Sequence, residues 1–246
     1  LLLHPLDVNC IEKLTITGTL RGYNDPNYEF LKEMEKLSIV DLTQLSDTEI
    51  PDYAFFKSNI EEVLLPLNLE SIPNSAFEGS SITSIQIPAT VKDIGKRAFY
   101  GTSKLQGNIV IPDATVSIKE EAFCLCAFNG TLTLGKGVKS IGKNAFGSCL
   151  NATGDLIIPD NVTTLGEFAF LGCEFSGNLQ IGNGIREIPS QCFFSSIPRI
   201  KGHLKIGDNV EIIGNSAFDR FYFTGDLIIP DQVKEIKQNA FSQAHF

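Results

Sequence analysis

Apolar residues recur along this chain in pairs that straddle one variable position. Each pair is followed at fixed spacing by a second apolar pair and then by Ala-Phe. The first pairs are Val63 and Leu65, Ile85 and Ile87, Ile109 and Ile111, Leu132 and Leu134, Leu156 and Ile158, Leu179 and Ile181, Leu204 and Ile206, and Leu227 and Ile229. Alternation at a period of two predicts short strands with one buried face. Each is closed by Pro66, Pro88, Pro112, Gly135, Pro159, Gly182, Gly207 or Pro230, residues that weaken or stop a ladder, so the strands are only a few residues long.

Phe55, Phe77, Phe99, Phe123, Phe146, Phe170, Phe193, Phe218 and Phe241 stand 22, 22, 24, 23, 24, 23, 25 and 23 residues apart. The residue before each is Ala in eight copies and Cys192 in the ninth. Between strand and Phe lie Val91 and Ile94, Val138 and Ile141, Val162 and Leu165, Ile185 and Ile188, Val210 and Ile213, and Val233 and Ile236. One copy has Thr115 in place of Val with Val116 beside it, which predicts a local shift there. A single unit has too little apolar area to stand alone, so the units stack and share a core. The expected product is a solenoid with strands about 4.8 Å apart in a parallel sheet. The remaining segments form turns, short strands or a brief helix. Each Phe inserts between rungs, where its burial stabilises by roughly 2–3 kcal/mol.

The spacing Ile82-x-x-Ile85-x-Ile87 fits the L-x-x-L-x-L core of leucine-rich repeats. The unit ITSIQIPATVKDIGKRAFYGTS, Ile82 to Ser103, and the stretch IIPDNVTTLGEFAFLGC resemble the BspA-like class of bacterial leucine-rich repeats. Later copies depart from it with a Gly-containing lead-in, as in Gly154-Asp155-Leu156 and Gly225-Asp226-Leu227. The resemblance implies a β-rich leucine-rich-repeat solenoid, a right-handed superhelix of about nine repeats of 22–25 residues. It also implies an exported, surface-associated bacterial protein that adheres to host matrix proteins or other cells, with no enzymatic activity. A structural spacer that presents other domains is the alternative. Glycan binding is a further one, disfavoured because Trp is absent and Phe221, Tyr222 and Phe223 form the only dense aromatic cluster.

Residues 1–40 read as an N-terminal segment and cap, and residues 41–246 as one continuous repeat domain. Within the cap, EKLTITGTL from Glu12 to Leu20 predicts a strand and DPNYEFLKEMEKL a helix. Asp25 caps that helix, Pro26 suits its first turn, and Phe30, Met34 and Leu37 share a face. The cap covers the open edge of the first rung. AFSQAHF at the other end has no polar closing element, which predicts continuation of the native chain or packing on something else. Starting at Leu1, the sequence is compatible with a mature form whose export signal lies upstream.

The net charge of −9 supplies no basic footprint for nucleic acid. Residues 1–80 hold 14 acidic and 5 basic side chains while residues 81–246 hold 15 of each, so the net charge sits at the N-terminal end. That excess is either a solvated acidic end or a patch that steers a basic partner or binds cations, although no acidic cluster has Ca²⁺-loop spacing. No apolar run approaches the roughly 20 residues of a membrane span.

Of six cysteines, Cys126, Cys149 and Cys173 fall three residues after the repeat Phe, where other copies have Ser58, Ser80, Thr102, Ser196 or Ala244. That defines a small inward slot holding free thiols, because parallel side-chain vectors on a ladder suit a disulfide poorly. CLC at Cys124 to Cys126 lacks zinc spacing, and no catalytic constellation, metal site or cofactor motif is predicted. His203 shares a column with Asp226 and could pair with it.

Outward positions on the strands give the candidate binding surface. One column includes Val110, Thr133, Ile157, Gln180, Lys205 and Ile228, and two residues earlier stand Asn108, Thr131, Asp155, Asn178, His203 and Asp226. Apolar groups that the core does not need, set among polar ones, suit a protein partner on a host or bacterial surface.

Overall fold

The computed structural model describes residues 10–18, 31, 34–195 and 202–246. It is a stack of parallel rungs carrying two ladders and a column of turns. The first ladder uses the alternating pairs. Lys13–Gly18, Ile39–Leu45 and Glu62–Leu64 form one segment, Ile109–Val110 and Leu132–Thr133 a second, and Leu156–Ile158, Leu179–Ile181 and Leu204–Lys205 a third. Ile85–Ile87 and Leu227–Ile229, expected as strands, pair with no neighbour; Ile87 is nevertheless buried, and Ile85, Leu227 and Ile229 still pack against the core.

The second apolar pairs form the other ladder. Ser71–Ile72, Asp93–Ile94, Ser117–Ile118, Ser140–Ile141 and Thr164–Leu165 make one sheet, and Glu187–Ile188, Ile212–Ile213 and Glu235–Ile236 another. The break has a covalent cause. Along this edge the N–H four residues before each Phe bonds to the previous rung, as in Gly166 to the Ile141 carbonyl and Gly214 to the Ile188 carbonyl. Pro189 occupies that position in the intervening rung and has no N–H, so the ladder ends at Leu165. Pro73 likewise leaves the Ile50 carbonyl without its donor and starts the first sheet at Ser71.

The shift expected at Thr115 does not occur. Ser117 and Ile118 stay in register with both neighbouring strands. Thr115 fills the Val position fully buried because its hydroxyl donates to the Val91 carbonyl at 2.8 Å, and Val116 is left 42% exposed.

The nine repeat phenylalanines stack face to face, with centroids 4.8–5.6 Å apart and planes within 13° of parallel. Such pairs contribute about 0.5–1.5 kcal/mol each beyond burial. The preceding Ala, or Cys192, is also buried, which keeps the adjoining backbone close to the core.

Around each Phe the chain forms the same turn. The residues two before it all have positive φ: Tyr53, Ser75, Arg97, Glu121, Asn144, Phe168, Gln191, Ser216 and Asn239. Two after it, Lys57, Leu125, Ser148, Arg220 and Gln243 share that conformation with Gly79, Gly101 and Gly172. None of these is β-branched, as left-handed backbone requires. The N–H groups of the Phe and of the residues two before and two after it bond to carbonyls of the next rung. Phe77 reaches Ala98 at 2.7 Å, Ser75 reaches Lys96 at 2.9 Å, and Gly79 reaches Tyr100 at 2.8 Å. The same three bonds recur at all eight interfaces. Intervening N–H groups close local turns, as Glu78 does to Ser75 and Ser80 to Phe77. The turn backbone is thereby satisfied.

At the N-terminal end the expected strand is present as Lys13–Gly18. Asp25, Pro26 and Phe30 of the expected helix lie outside the described residues. Leu31 is helical, and a turn at residues 35–36 follows, with Met34 N–H to the Leu31 carbonyl and Leu37 N–H to the Met34 carbonyl, a spacing that buries Leu31, Met34 and Leu37 together. In the last rung Ile236 is 49% exposed, whereas its equivalents Ile213 and Ile188 are fully buried.

Truncating Phe170 to Ala is expected to cost about 3–5 kcal/mol in denaturant unfolding; an unchanged midpoint would refute the ladder. Leu125, with φ 58° and 46% exposed, carries left-handed strain with little burial to lose. Leu125→Gly is expected to raise stability by about 0.5–1 kcal/mol and Leu125→Ala to change it little, measured in the same way.

Candidate functional site

The outward strand residues are brought together in two groups. Val110 lies beside Thr133, and Ile157, Gln180 and Lys205 lie in register on three successive rungs. Val110 is 58% exposed, Ile157 49% and Ile228 75%. Ile228 and Asp226 belong to a rung without a ladder strand and are held by the flanking packing alone.

The second column is partly committed to the architecture. Oδ1 of Asn108 accepts the Thr131 N–H at 2.9 Å, Asp155 accepts that of Asn178 at 2.7 Å, and Asn178 accepts that of His203 at 2.8 Å. Each side chain therefore bridges to the next rung. Asp113, Asp160 and Asn183 do the same for Lys136, Asn183 and Asp208, which explains the Asp that follows Pro in the repeat. Exposed His203 makes no hydrogen bond to Asp226 among the described residues; its backbone N–H is held by Asn178. His203 and Asp226 are exposed and keep side-chain capacity for contacts, while exposed Thr131 donates its hydroxyl to Asn108 Oδ1 at 3.2 Å and keeps its acceptor capacity.

The cysteine slot is a hydrogen-bonded column. The thiols of Cys126, Cys149 and Cys173 donate to the carbonyls of Phe99, Phe123 and Phe146, each one rung back, at 2.9, 3.2 and 2.8 Å. Ser58 and Ser80 occupy the same slot, and their buried hydroxyls make no hydrogen bond. Phe221 takes this place in the Phe218 copy. Cys10 is exposed and the other five cysteines are buried, all as free thiols. Burial pushes Cys126 up to about 12, and burial with the nearby Glu121 charge pushes Cys124 up to about 11. Burial raises Cys149 and Cys192 as well. These thiols are inert packing groups, and no cluster of three metal-ligating side chains forms among the described residues.

A feature that sequence reasoning missed is a groove of about 820 Å³ crossing four rungs near the N-terminal end. Ile50, Pro51, Ile72 and Pro73 lie in it, and Asp47, Glu49, Asp52, Asp93 and Glu120 supply carboxylates. Its lysines are already engaged, Lys96 with Glu120 at 3.1 Å and Lys119 with Asp93 at 3.8 Å. Asp52 accepts the Asn74 N–H at 2.9 Å. The ion pairs on the later rungs, from Glu70 with Lys92 to Glu211 with Arg186 and Lys234, include neither Glu49 nor Asp52. The sequence signals for this groove are the acidic excess and Pro73, which removes the bond that would close the rungs together.

Parallel rungs of 22–25 residues around an apolar column define a leucine-rich-repeat solenoid. The model of the BspA-type leucine-rich-repeat region matches residues 9–106, 48–154, 104–224 and 151–246, and the chain belongs to that family. Among solved structures it is similar to the leucine-rich-repeat protein of T. pallidum, with a TM-score of 0.53 and 22% identity over 74% of this chain and 75% of that one. That likeness shows the fold. A leucine-rich cell surface protein of Faecalibacterium prausnitzii matches with a TM-score of 0.49 and 24% identity over 87% of this chain; the match spans only 59% of that protein's chain. A comparison with curated proteins finds no match.

Thiol labelling of the native protein is expected to modify Cys10 rapidly and Cys149 only at the rate of unfolding. Fast native labelling of Cys149 would contradict the closed slot.

Proposed function

We propose that this chain is the interaction module of an exported bacterial surface protein and adheres to a protein partner through the outward face of its first ladder. The observation that carries this reading is the exposure of Val110, Ile157 and Ile228 on a face otherwise lined by polar residues. Contacts centre on Val110, Thr133, Ile157, Gln180, Lys205 and Ile228, because Asn108, Asp155 and Asn178 already spend a side-chain acceptor on the next rung. Thr131, His203 and Asp226 form the polar rim. Membership of the BspA-type family and the surface location in the name of the F. prausnitzii protein support export. A repetitive scaffold that presents one continuous outer face, with no cluster of metal-ligating side chains among the described residues, supports binding over catalysis.

The test is a binding screen on immobilised matrix proteins, cell-surface proteins and glycans, with an Ile157→Glu, Ile228→Glu variant run in parallel after its fold is confirmed by circular dichroism. Binding by the wild type to a protein ligand is expected to fall at least about tenfold in the variant, since two carboxylates would be desolvated at the contact. Equal binding by both proteins would remove the site from this face, and no binding by either would favour a spacer role.

A further inference from the structure

The turn column has a direction. Its inter-rung N–H groups all point toward the following rung, and the carbonyls that receive them all face the preceding one. In the first turn the carbonyls of Asp52, Ala54 and Phe56 accept no backbone hydrogen bond among the described residues. Aligned peptide dipoles leave partial negative charge at this end, for the reason that the C-terminus of a helix is negative. The Ile50 carbonyl, which also lines the groove, likewise accepts no backbone hydrogen bond among the described residues, because Pro73 supplies no N–H.

The acidic groove begins at this same edge. Glu49 and Asp52 take part in none of the ion pairs of the later rungs, while the groove's two lysines are neutralised by Glu120 and Asp93. One end of the groove therefore presents the carbonyls of Ile50 and Asp52 and the carboxylates of Glu49 and Asp52, which make no ion pair among the described residues. Side-chain charge and backbone polarity, which arise independently, add there to the same sign.

We propose that this groove docks an extended lysine- or arginine-rich peptide segment of a partner protein. Such a segment brings main-chain N–H groups for the Ile50 and Asp52 carbonyls and cationic side chains for Glu49 and Asp52. Acidic peptides and nucleic acids are repelled by the same field. The net charge confined to residues 1–80 speeds the encounter from a distance. The groove uses neither Ile157 nor Ile228, so this site is independent of adhesion through the sheet face.

A fluorescein-labelled hexalysine peptide, followed by anisotropy in low salt, tests the proposal. The proteins compared are the wild type, a Glu49→Gln, Asp52→Asn variant, and a Glu61→Gln, Glu62→Gln variant that removes the same charge outside the groove. Asn at position 52 keeps an oxygen for the Asn74 N–H, so the backbone bond between the rungs is retained, although the longer 3.3 Å bond from the Asn74 amide is not. The expected result is saturable wild-type binding that weakens with salt, about tenfold weaker in the groove variant and within about twofold of wild type in the control. Equal losses in both variants would assign binding to diffuse acidity and overturn the site. Absence of wild-type binding, or its loss in the Ile157→Glu, Ile228→Glu variant, would overturn it equally.

Discussion

Backbone hydrogen bonds set the step from one rung to the next at about 4.8 Å, and every buried group in the stack has to be compatible with that repeat. A flat ring meets the requirement well. With centroids 4.8–5.6 Å apart and planes nearly parallel, the repeat phenylalanines advance one ring per rung at the step the backbone sets. Alanine beside the ring, a small residue three positions later and branched aliphatics on the two ladders fill the rest of the cross-section. The core is thus a set of continuous columns, each solved once and repeated.

The step also organises the polar groups. The turns direct their donors forward in every rung, while Asn and Asp side chains on the outer columns tie rungs in the opposite sense, accepting the N–H of the following rung beside the strands. This explains how a molecule whose strands beyond Leu45 are two or three residues long holds together. Each rung contributes few ladder bonds but is also tied by turn bonds and side-chain bridges. Arg97 adds a local clasp, bonding Glu78 through two nitrogens and Glu121 through a third while lying 3.6 Å over the Tyr100 ring.

Much of this was legible in the sequence. Ala-Phe at a steady interval, alternating pairs and their Pro or Gly stops define the rungs and the buried columns without coordinates. The Thr115 copy was misread because a pattern of residue types cannot show that a hydroxyl will find the Val91 carbonyl and so behave as a core residue. The positive φ values around each Phe were invisible for another reason: Tyr, Ser, Arg, Glu and Gln hold them, and the conformation is imposed by the inter-rung bonds. Of the surface, the outward positions of Ile157 and Ile228 followed from alternation alone. The structural duty of Asn108, Asp155 and Asn178 did not, since it depends on distances between rungs. The acidic groove needed both the charge count and the knowledge that Pro73 stands where a cross-rung donor is missing.

The left-handed positions flanking each Phe accept Tyr, Arg, Glu, Asn, Lys, Leu and Ser alike, yet none holds a branched β-carbon. Evolution along these two tracks is constrained in shape and free in chemistry. Charge, aromaticity and length can drift from rung to rung without disturbing the wiring, so this edge can change what it displays while the protein beneath it stays the same.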